Sequence, residues 1–579
     1  MKRLAVLLAV LLFPAALAAQ SEDTKFEQLL EEEWEYRLRE FPVEATYVGD
    51  PRYDNRMTDY SEAAIERRRQ HARDLVGRIR AIDRAKLTPE NRLNYDLFLL
   101  EAERDVEGQR FRRDFIQITQ RGGIHSQLAG LAQVVPKASV RDYENFIKRL
   151  EQTPRLVDQS IALMRKGLAE GITPSRITLR STAELIANHI AEDPAESPIY
   201  RVLFAKEPPD PALKQRVAAV LADQVIPAYR RLQRFFTEEY YPRTRESIGI
   251  SAVPDGAEWY AYLVRSYTTT GMTAEEIHQL GLAEVKRIRG EMEKVKTSAG
   301  FKGSLDEFFT FLRTDPRFYF TTRDDLLVAY RDIAKRVDPE LPRLFGLLPR
   351  TPYGVVPVPE YSEKTQTTAY YNQGSLEAGR AGLFYANTYN LAARPKWEME
   401  ALTLHEAVPG HHLQISIMQE LGDLPEFRRF GGYTAFIEGW GLYAESLGPE
   451  LGLYTDPYSR FGQLTYEMWR AVRLVVDTGM HAKGWTRQQA IDYFKANAGK
   501  TEHDIVVEID RYINTPGQAL AYKIGELKLK ELRAYATREL GDRFSIRRFH
   551  DAVLGAGALP LSVLETRVKE WVATEKATR

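Results

Sequence analysis

The sequence predicts a mainly α fold with a small antiparallel β-sheet set just before a histidine-rich helix, and three observations predict it. From Thr24 to about Glu238 the chain is charge-laced, poor in glycine and helical in its apolar spacing. Between residues 352 and 387 the texture changes to short valine- and tyrosine-rich runs among prolines and glycines, the pattern of brief strands. From Trp397 onward apolar residues return at helical spacing and persist almost to the end.

Taken in order, residues 1–18 read as a signal peptide: Lys2 and Arg3 form a basic start, Leu4 to Phe13 an apolar stretch, and Ala16-Leu17-Ala18 a small-residue cleavage site. Residues 19–579 form one helical domain with approximate lobes 19–250 and 251–579. Helical runs are expected at Glu62–Asp83, Pro89–Val106, Val140–Leu168 and Pro211–Glu239, and Phe41-Pro42-Val43-Glu44-Ala45-Thr46 reads as a turn. His71, His125 and His189 read as ordinary surface or capped histidines. Trp259, Tyr260, Tyr262 and Tyr267 read as an aromatic core, and Thr273-Ala274-Glu275-Glu276 is a capping box. Val355, Val356 and Val358, then Thr367 to Tyr371 and Leu383 to Thr388, supply the strands.

Composition bounds the function. The 579 residues are 44% hydrophobic and 28% charged, with a formal net charge of −1. That is an ordinary soluble composition, and it excludes binding driven by a nucleic-acid backbone or a polybasic membrane surface. With no cysteine, disulfides, thiol catalysis and thiolate metal ligands are excluded. An exported, periplasmic or secreted chain of this kind holds together by core burial alone.

The chemistry concentrates in His405-Glu406-Ala407-Val408-Pro409-Gly410-His411-His412-Leu413-Gln414, which holds three of the ten histidines. Imidazoles suit a borderline metal such as zinc, and a carboxylate beside the first ligand can take a proton from an activated water. The familiar arrangement puts the second histidine four residues after the first; here that position is Pro409, and His411 and His412 follow at six and seven. Seven residues of straight helix rise roughly 10.5 Å, against a zinc–nitrogen bond of about 2.0–2.1 Å. The helix must therefore break, and Pro409-Gly410 sits where the break is needed. Trp397, Ala401, Leu404 and Val408 form a stripe that carries His405 inward, and Leu413, Ile417 and Leu421 resume it. The next helix, around Phe436-Ile437-Glu438-Gly439-Trp440-Gly441-Leu442-Tyr443-Ala444-Glu445, can return Glu438 as a third ligand, with Gly439 and Gly441 allowing close backbone approach. Further on, Pro516-Gly517-Gln518 turns between Tyr512 and Tyr522, the device a site needs if a phenol must reach it.

The runs HEAVPGHHLQ, EGWGLYAE and YINTPGQALAYKIG resemble a large bacterial family catalogued as domain of unknown function 885, over roughly residues 25–575. That family resembles helical zinc oligopeptidases and angiotensin-converting-type dipeptidases. The resemblance implies a two-lobed helical fold with a deep cleft and one Zn2+ ion held by His405, His411 and Glu438, with His412 the alternative. It implies Glu406 as general base and Tyr522, with His481 or Tyr512, steadying the oxyanion. Glu445 or Asp477 is expected to orient the ligands, and Lys523, Arg470 or Arg473 either grips a substrate carboxylate or forms a structural ion pair. The expected activity is zinc-dependent hydrolysis of short peptides. Hydrolysis of another amide, such as cell-wall peptides, and a catalytically inactive periplasmic peptide-binding role remain open. Cobalt or manganese stays conceivable in place of zinc.

Overall fold

The computed structural model describes residues 21–578, apart from Arg121, Tyr361, Thr365 and Glu377. The expected signal segment lies outside the described residues. The fold is mainly α with one small sheet, and no helix among the described residues is long and apolar enough to cross a membrane.

In the first half, helices Glu62–Arg80 and Pro89–Gly108 form where their periodicity placed them. The run expected over Val140–Leu168 is two helices, Val140–Leu150 and Thr153–Glu170, because Pro154 supplies no amide and opens a new helix at its first turn. The segment from Phe41 is a short helix, Pro42–Val48, rather than a turn; Pro42 starts it and Gly49, at φ 100°, stops it.

Seven helices of the second half position the chemistry: α1 (Ala274–Ser298), α2 (Met399–Glu406), α3 (His411–Glu420), α4 (Thr434–Glu445), α5 (Pro457–Ala482), α6 (Glu502–Asn514) and α7 (Ala521–Leu540). The capping box at Thr273 opens α1: Thr273 accepts from the Glu276 amide while the Glu276 carboxylate accepts from the Thr273 amide. α1 lies along α5, and α4 along α7. The second contact is close because Gly439 faces Gly525: a Cβ on Gly439 would stand 2.5 Å from the Gly525 Cα.

Strands β1 (Tyr353–Pro357), β2 (Ala369–Asn372) and β3 (Gly382–Ala386) lie in the order β1-β3-β2. The sheet is mixed, not antiparallel as expected. β2 meets β3 antiparallel across the short loop between them, with Ala369 opposite Ala386 and Asn372 opposite Leu383. β1 reaches the other side of β3 after a longer excursion and so runs parallel to it, Tyr353 opposite Gly382. β2 is thus left at an edge.

Apolar side chains gather in three main clusters: one between residues 57 and 240, one dominated by residues 285–572, and one that joins Phe111, Phe115 and Leu163 to Trp259, Tyr260, Leu474 and Ile524. Trp259, Tyr260, Tyr262 and Tyr267 belong to the joining cluster, as expected of an aromatic core. A buried ionic node fixes the register of α1, α5 and α7. Lys523 Nζ lies 3.1 Å from Glu284, 2.9 Å from Glu467 and 2.6 Å from Glu526. Removing one partner of such a node costs roughly 3–5 kcal/mol, because the others stay buried and uncompensated.

Two of the histidines read as surface or capped are buried: His125 and His189, 2% and 5% exposed. His189 packs on Tyr229, ring centroids 4.9 Å apart. Burial holds both imidazoles down at about 4. Below about 6.5, the ordinary histidine value, the unfolded chain takes up protons that the folded chain refuses. Stability is therefore complete above pH 6.5 and falls as pH drops towards 4. A His189→Phe variant, scanned by denaturant unfolding between pH 7 and 4, should lose this residue's share of the slope, on the order of 3 kcal/mol at the acid end.

Candidate metal centre

The break between α2 and α3 brings the histidines together. α2 ends at Glu406 and α3 begins at His411. Gly410 makes the bend possible, since a Cβ there would stand 2.0 Å from the His405 carbonyl oxygen. The Pro409 carbonyl, freed by the break, accepts from Trp440 Nε1 at 2.8 Å, so α4 clasps the bend that it faces.

Across this clasp three ligand atoms converge. Glu438 Oε2 lies 3.3 Å from His411 Nε2 and 3.7 Å from His405 Nε2, and one ligand atom from each of the three residues lies within 4.8 Å of the others. The two rings stand edge to face, 4.6 Å between centroids. Glu438 Oε2 is buried and makes no regular hydrogen bond. For tetrahedral zinc with bonds of about 2.0–2.2 Å, neighbouring ligand atoms stand about 3.3 Å apart. The spacing is that of a shared ion rather than of direct hydrogen bonds, and the donor set of two imidazoles and a carboxylate fits a first-row divalent metal.

His405 is held from behind. Its Nδ1 faces Glu445 Oε1 at 2.9 Å, and Arg470 Nη2 approaches the same oxygen at 3.1 Å. Burial alone would lower the His405 pKa, but the Glu438 and Glu445 carboxylates carry it up to about 9. Glu438 stays well below the usual carboxylate range: burial raises it, and the two imidazoles more than reverse that. Gly441 leaves room for the ring, since a Cβ there would lie 2.8 Å from His405 Cε1. The approach that the sequence assigned to a backbone at Gly441 is in fact made by this imidazole.

His412 is not a third imidazole of the cluster. Its Nδ1 accepts from Tyr371 Oη at 3.0 Å, and its ring packs 4.5 Å from that of Tyr353. One residue past His411, the helix turns it to the sheet, where burial lowers it to about 4. His481 also stands apart. Its Nδ1 accepts from the Ile250 amide and its Nε2 donates to the Tyr512 carbonyl, both at 3.0 Å, so neither nitrogen is free to serve a reaction. Tyr512 is buried under Trp469 and Arg473, which donate to its oxygen at 2.9 and 2.7 Å. Asp477 accepts from Tyr260 at 2.7 Å and from the Gly517 amide at 3.0 Å, so it anchors the Pro516-Gly517-Gln518 loop rather than a ligand.

Tyr522 does reach the centre. Together with His405, Glu406, His411 and Glu438 it lines a cavity of about 300 Å³. Its ring lies 6.4 Å from that of His405 and nearly parallel to it, and Gln518 Nε2 donates to its oxygen at 3.4 Å. Burial and the Glu438 charge raise its pKa, so the phenol keeps its proton as a donor. Residues 367–371, on and just before the edge strand β2, also line it. The lining also holds Gln518, from the turn that the sequence marked, and residues that sequence reasoning passed over: Trp469, Glu508, Arg511 and Thr515. The signal for Glu508 and Arg511 was a carboxylate and a guanidinium one turn apart on the apolar side of α6, where both are buried.

The structure resembles two solved proteins over almost its whole length. A protein of Colwellia psychrerythraea, provisionally described as a lipoprotein, is 28% identical, with a TM-score of 0.91 over 96% of this chain and 100% of that one. A protein of Shewanella oneidensis, provisionally described as a lipoprotein of unknown function, is 17% identical, with a TM-score of 0.65 over 95% and 99%. No curated protein matches the chain. The family model described as "Bacterial protein of unknown function (DUF885)" matches residues 42–568, and the chain therefore belongs to that family.

Proposed function

We propose that this protein is a zinc-dependent peptidase acting on short peptides. The observation that carries the reading is the convergence of His405, His411 and Glu438 on one point of a cavity that Glu406 also lines. A zinc ion held by these three residues supplies Lewis acidity, which acidifies water and polarises a carbonyl.

The rest is done by the chain. Glu406 takes one proton from the attacking water and passes it to the leaving nitrogen as the C–N bond breaks. The water oxygen ends in the new carboxylate, and both water protons end on the leaving nitrogen, one through Glu406 and the second as the new carboxyl group ionises, so the amine departs as an ammonium at neutral pH. Tyr522 Oη donates to the oxyanion that develops on the carbonyl oxygen. Residues 367–371 line the cavity and β2 stands at the edge of the sheet, the position from which a sheet can take an extended peptide alongside. Glu445 orients His405 and raises its basicity, with Arg470 holding Glu445 in place. A cavity of about 300 Å³ suits a short peptide and excludes a folded chain. We place the activity outside the cytoplasm: residues 1–18 have the pattern of an export signal, and the two similar structures carry provisional lipoprotein descriptions.

Glu406→Gln should retain stoichiometric zinc by elemental analysis yet lose at least about 100-fold in kcat on any cleaved peptide; cleavage at the native rate would remove Glu406 from the mechanism. Gly441→Ala should press on the His405 ring and weaken zinc binding roughly 10- to 100-fold in a competition titration with a chromogenic chelator. An unchanged affinity would show that the ring's position does not govern the metal.

A further inference from the structure

Gln518 lines the cavity beside Tyr522, and its amide meets a different partner at each end. Its Oε1 accepts from Arg511 Nη1 at 2.8 Å, and its Nε2 donates to Tyr522 Oη at 3.4 Å. The first contact decides the second. A guanidinium carries only donors, so the end of the amide that faces Arg511 must be the carbonyl, and the NH2 is left for Tyr522. Arg511 is itself held: its Nε and Nη2 both donate to Glu508 Oε2, at 3.3 and 2.9 Å, which leaves Nη1 for Gln518. Glu508 and Arg511 are both buried.

The backbone under Gln518 is fixed as well. Gly517 takes the left-handed φ of 81°, and its amide donates to both oxygens of Asp477, at 3.0 and 3.2 Å. Gln518 then opens the short 3-10 helix Gln518–Leu520 that runs into α7. Tyr522 follows four residues on, the spacing at which helical side chains meet. The Tyr522 ring has the Arg473 guanidinium carbon 4.2 Å from its centre and the His405 ring nearly parallel at 6.4 Å. Packing therefore sets the ring and leaves only the direction of the O–H bond. Among the described residues no group accepts that proton, and Gln518 is the one donor to that oxygen. An oxygen that accepts from Gln518 turns its own proton away from it, and the cavity lies there to receive it.

We propose that Gln518 is a positioning residue: held by the Glu508–Arg511 pair, it donates to Tyr522 Oη and so aims the phenolic proton at the carbonyl oxygen of the substrate before the reaction begins. The proposal rests on the peptidase reading for the oxyanion, and on the chain Glu508–Arg511–Gln518–Tyr522 alone for the direction of the proton. A donor already aimed costs no reorientation as charge develops. A carboxylate in place of the amide reverses the order, because it accepts from Arg511 and from Tyr522 alike.

The test uses that reversal. Kinetics are followed on whichever of a panel of unblocked tripeptides the native zinc-loaded protein cleaves fastest, with products quantified by mass spectrometry. Gln518→Leu, which leaves the phenol free to rotate, should lower kcat by about 10-fold or less. Gln518→Glu, which draws the proton away, should lower kcat by about 100-fold, close to Tyr522→Phe, with KM within about 3-fold of native. A role confined to packing gives the opposite order, since glutamate keeps the shape and the contact with Arg511; Gln518→Glu no slower than Gln518→Leu would overturn the proposal. In a Tyr522→Phe background Gln518→Glu should cost nothing more, and a further loss would overturn it by showing that the added charge acts elsewhere. The direction of the hydrogen bond is also read without turnover or metal. In protein labelled with 13C at tyrosine Cζ, the Tyr522 resonance is the one lost in Tyr522→Phe. Gln518→Glu should move it further towards the phenolate position than Gln518→Leu does, with circular dichroism confirming both folds. If the native protein cleaves none of the peptides, the peptidase reading fails and this shift alone decides the positioning role: a resonance that moves no further in Gln518→Glu overturns it.

Discussion

The structure depends on one bend. Two imidazoles six residues apart cannot reach one carboxylate from a straight helix, because six residues rise roughly 9 Å. The chain resolves this by stopping α2 directly after Glu406 and restarting as α3 at His411. A broken helix leaves backbone groups unsatisfied, and a buried orphan carbonyl costs roughly 1–3 kcal/mol. Trp440 removes that cost at Pro409. Because Trp440 lies two residues beyond Glu438 on α4, the helix that clasps the bend is also the one that delivers the third ligand atom. The close crossing of Gly439 on Gly525 then ties α4 to α7, which carries Tyr522.

Charge is the second constraint. Glu438, His405, Glu445 and Arg470 form a buried line of alternating character, each member within 3.7 Å of the next. Taking such groups out of water is unfavourable unless each has a partner. Here the partners are arranged so that both faces of His405 are fixed: Nδ1 by Glu445, Nε2 towards Glu438. Among the described residues no carboxylate stands behind His411 as Glu445 stands behind His405, whose Nδ1 it faces at 2.9 Å. The rigidity of the centre is therefore lodged in His405, and Gly441 is the residue whose smallness permits it.

The centre was legible in the sequence because it is dense. Histidine, proline and glycine stand together in eight residues, and their spacing by itself demands a break in the helix. The mainly α class was legible for the usual reason, periodicity over long runs. What could not be read was direction. His411 and His412 are adjacent and chemically identical, and only the packing of Tyr353 and Tyr371 on His412 sends one to the sheet and the other to the cavity. The same holds for His481 and Tyr512: each has the chemistry of a catalytic group, and each spends it on accepting a hydrogen bond from a distant part of the chain, from the Ile250 amide and from Arg473. The parallel pairing of β1 with β3 was hidden too, because periodicity places strands but not their order.

Arg470 and Arg473, on α5, were singled out in the sequence, whereas Glu508 and Arg511, on α6, were not. α5 acts as a ruler: Arg470, Arg473 and Asp477 fall at helical intervals and project to one side. The first steadies Glu445 at the metal end. The second stacks on Tyr522 in the middle. The third holds the amide of Gly517, and so sets the loop from which Gln518 and Tyr522 enter the cavity. A single helix thus spaces the support of Glu445, the stacking on Tyr522 and the anchor of the Gly517 loop over roughly 10 Å. That spacing is inherited from the backbone rather than from any side chain's freedom, so the distance between the support of Glu445 and the loop that carries Gln518 is built into the fold.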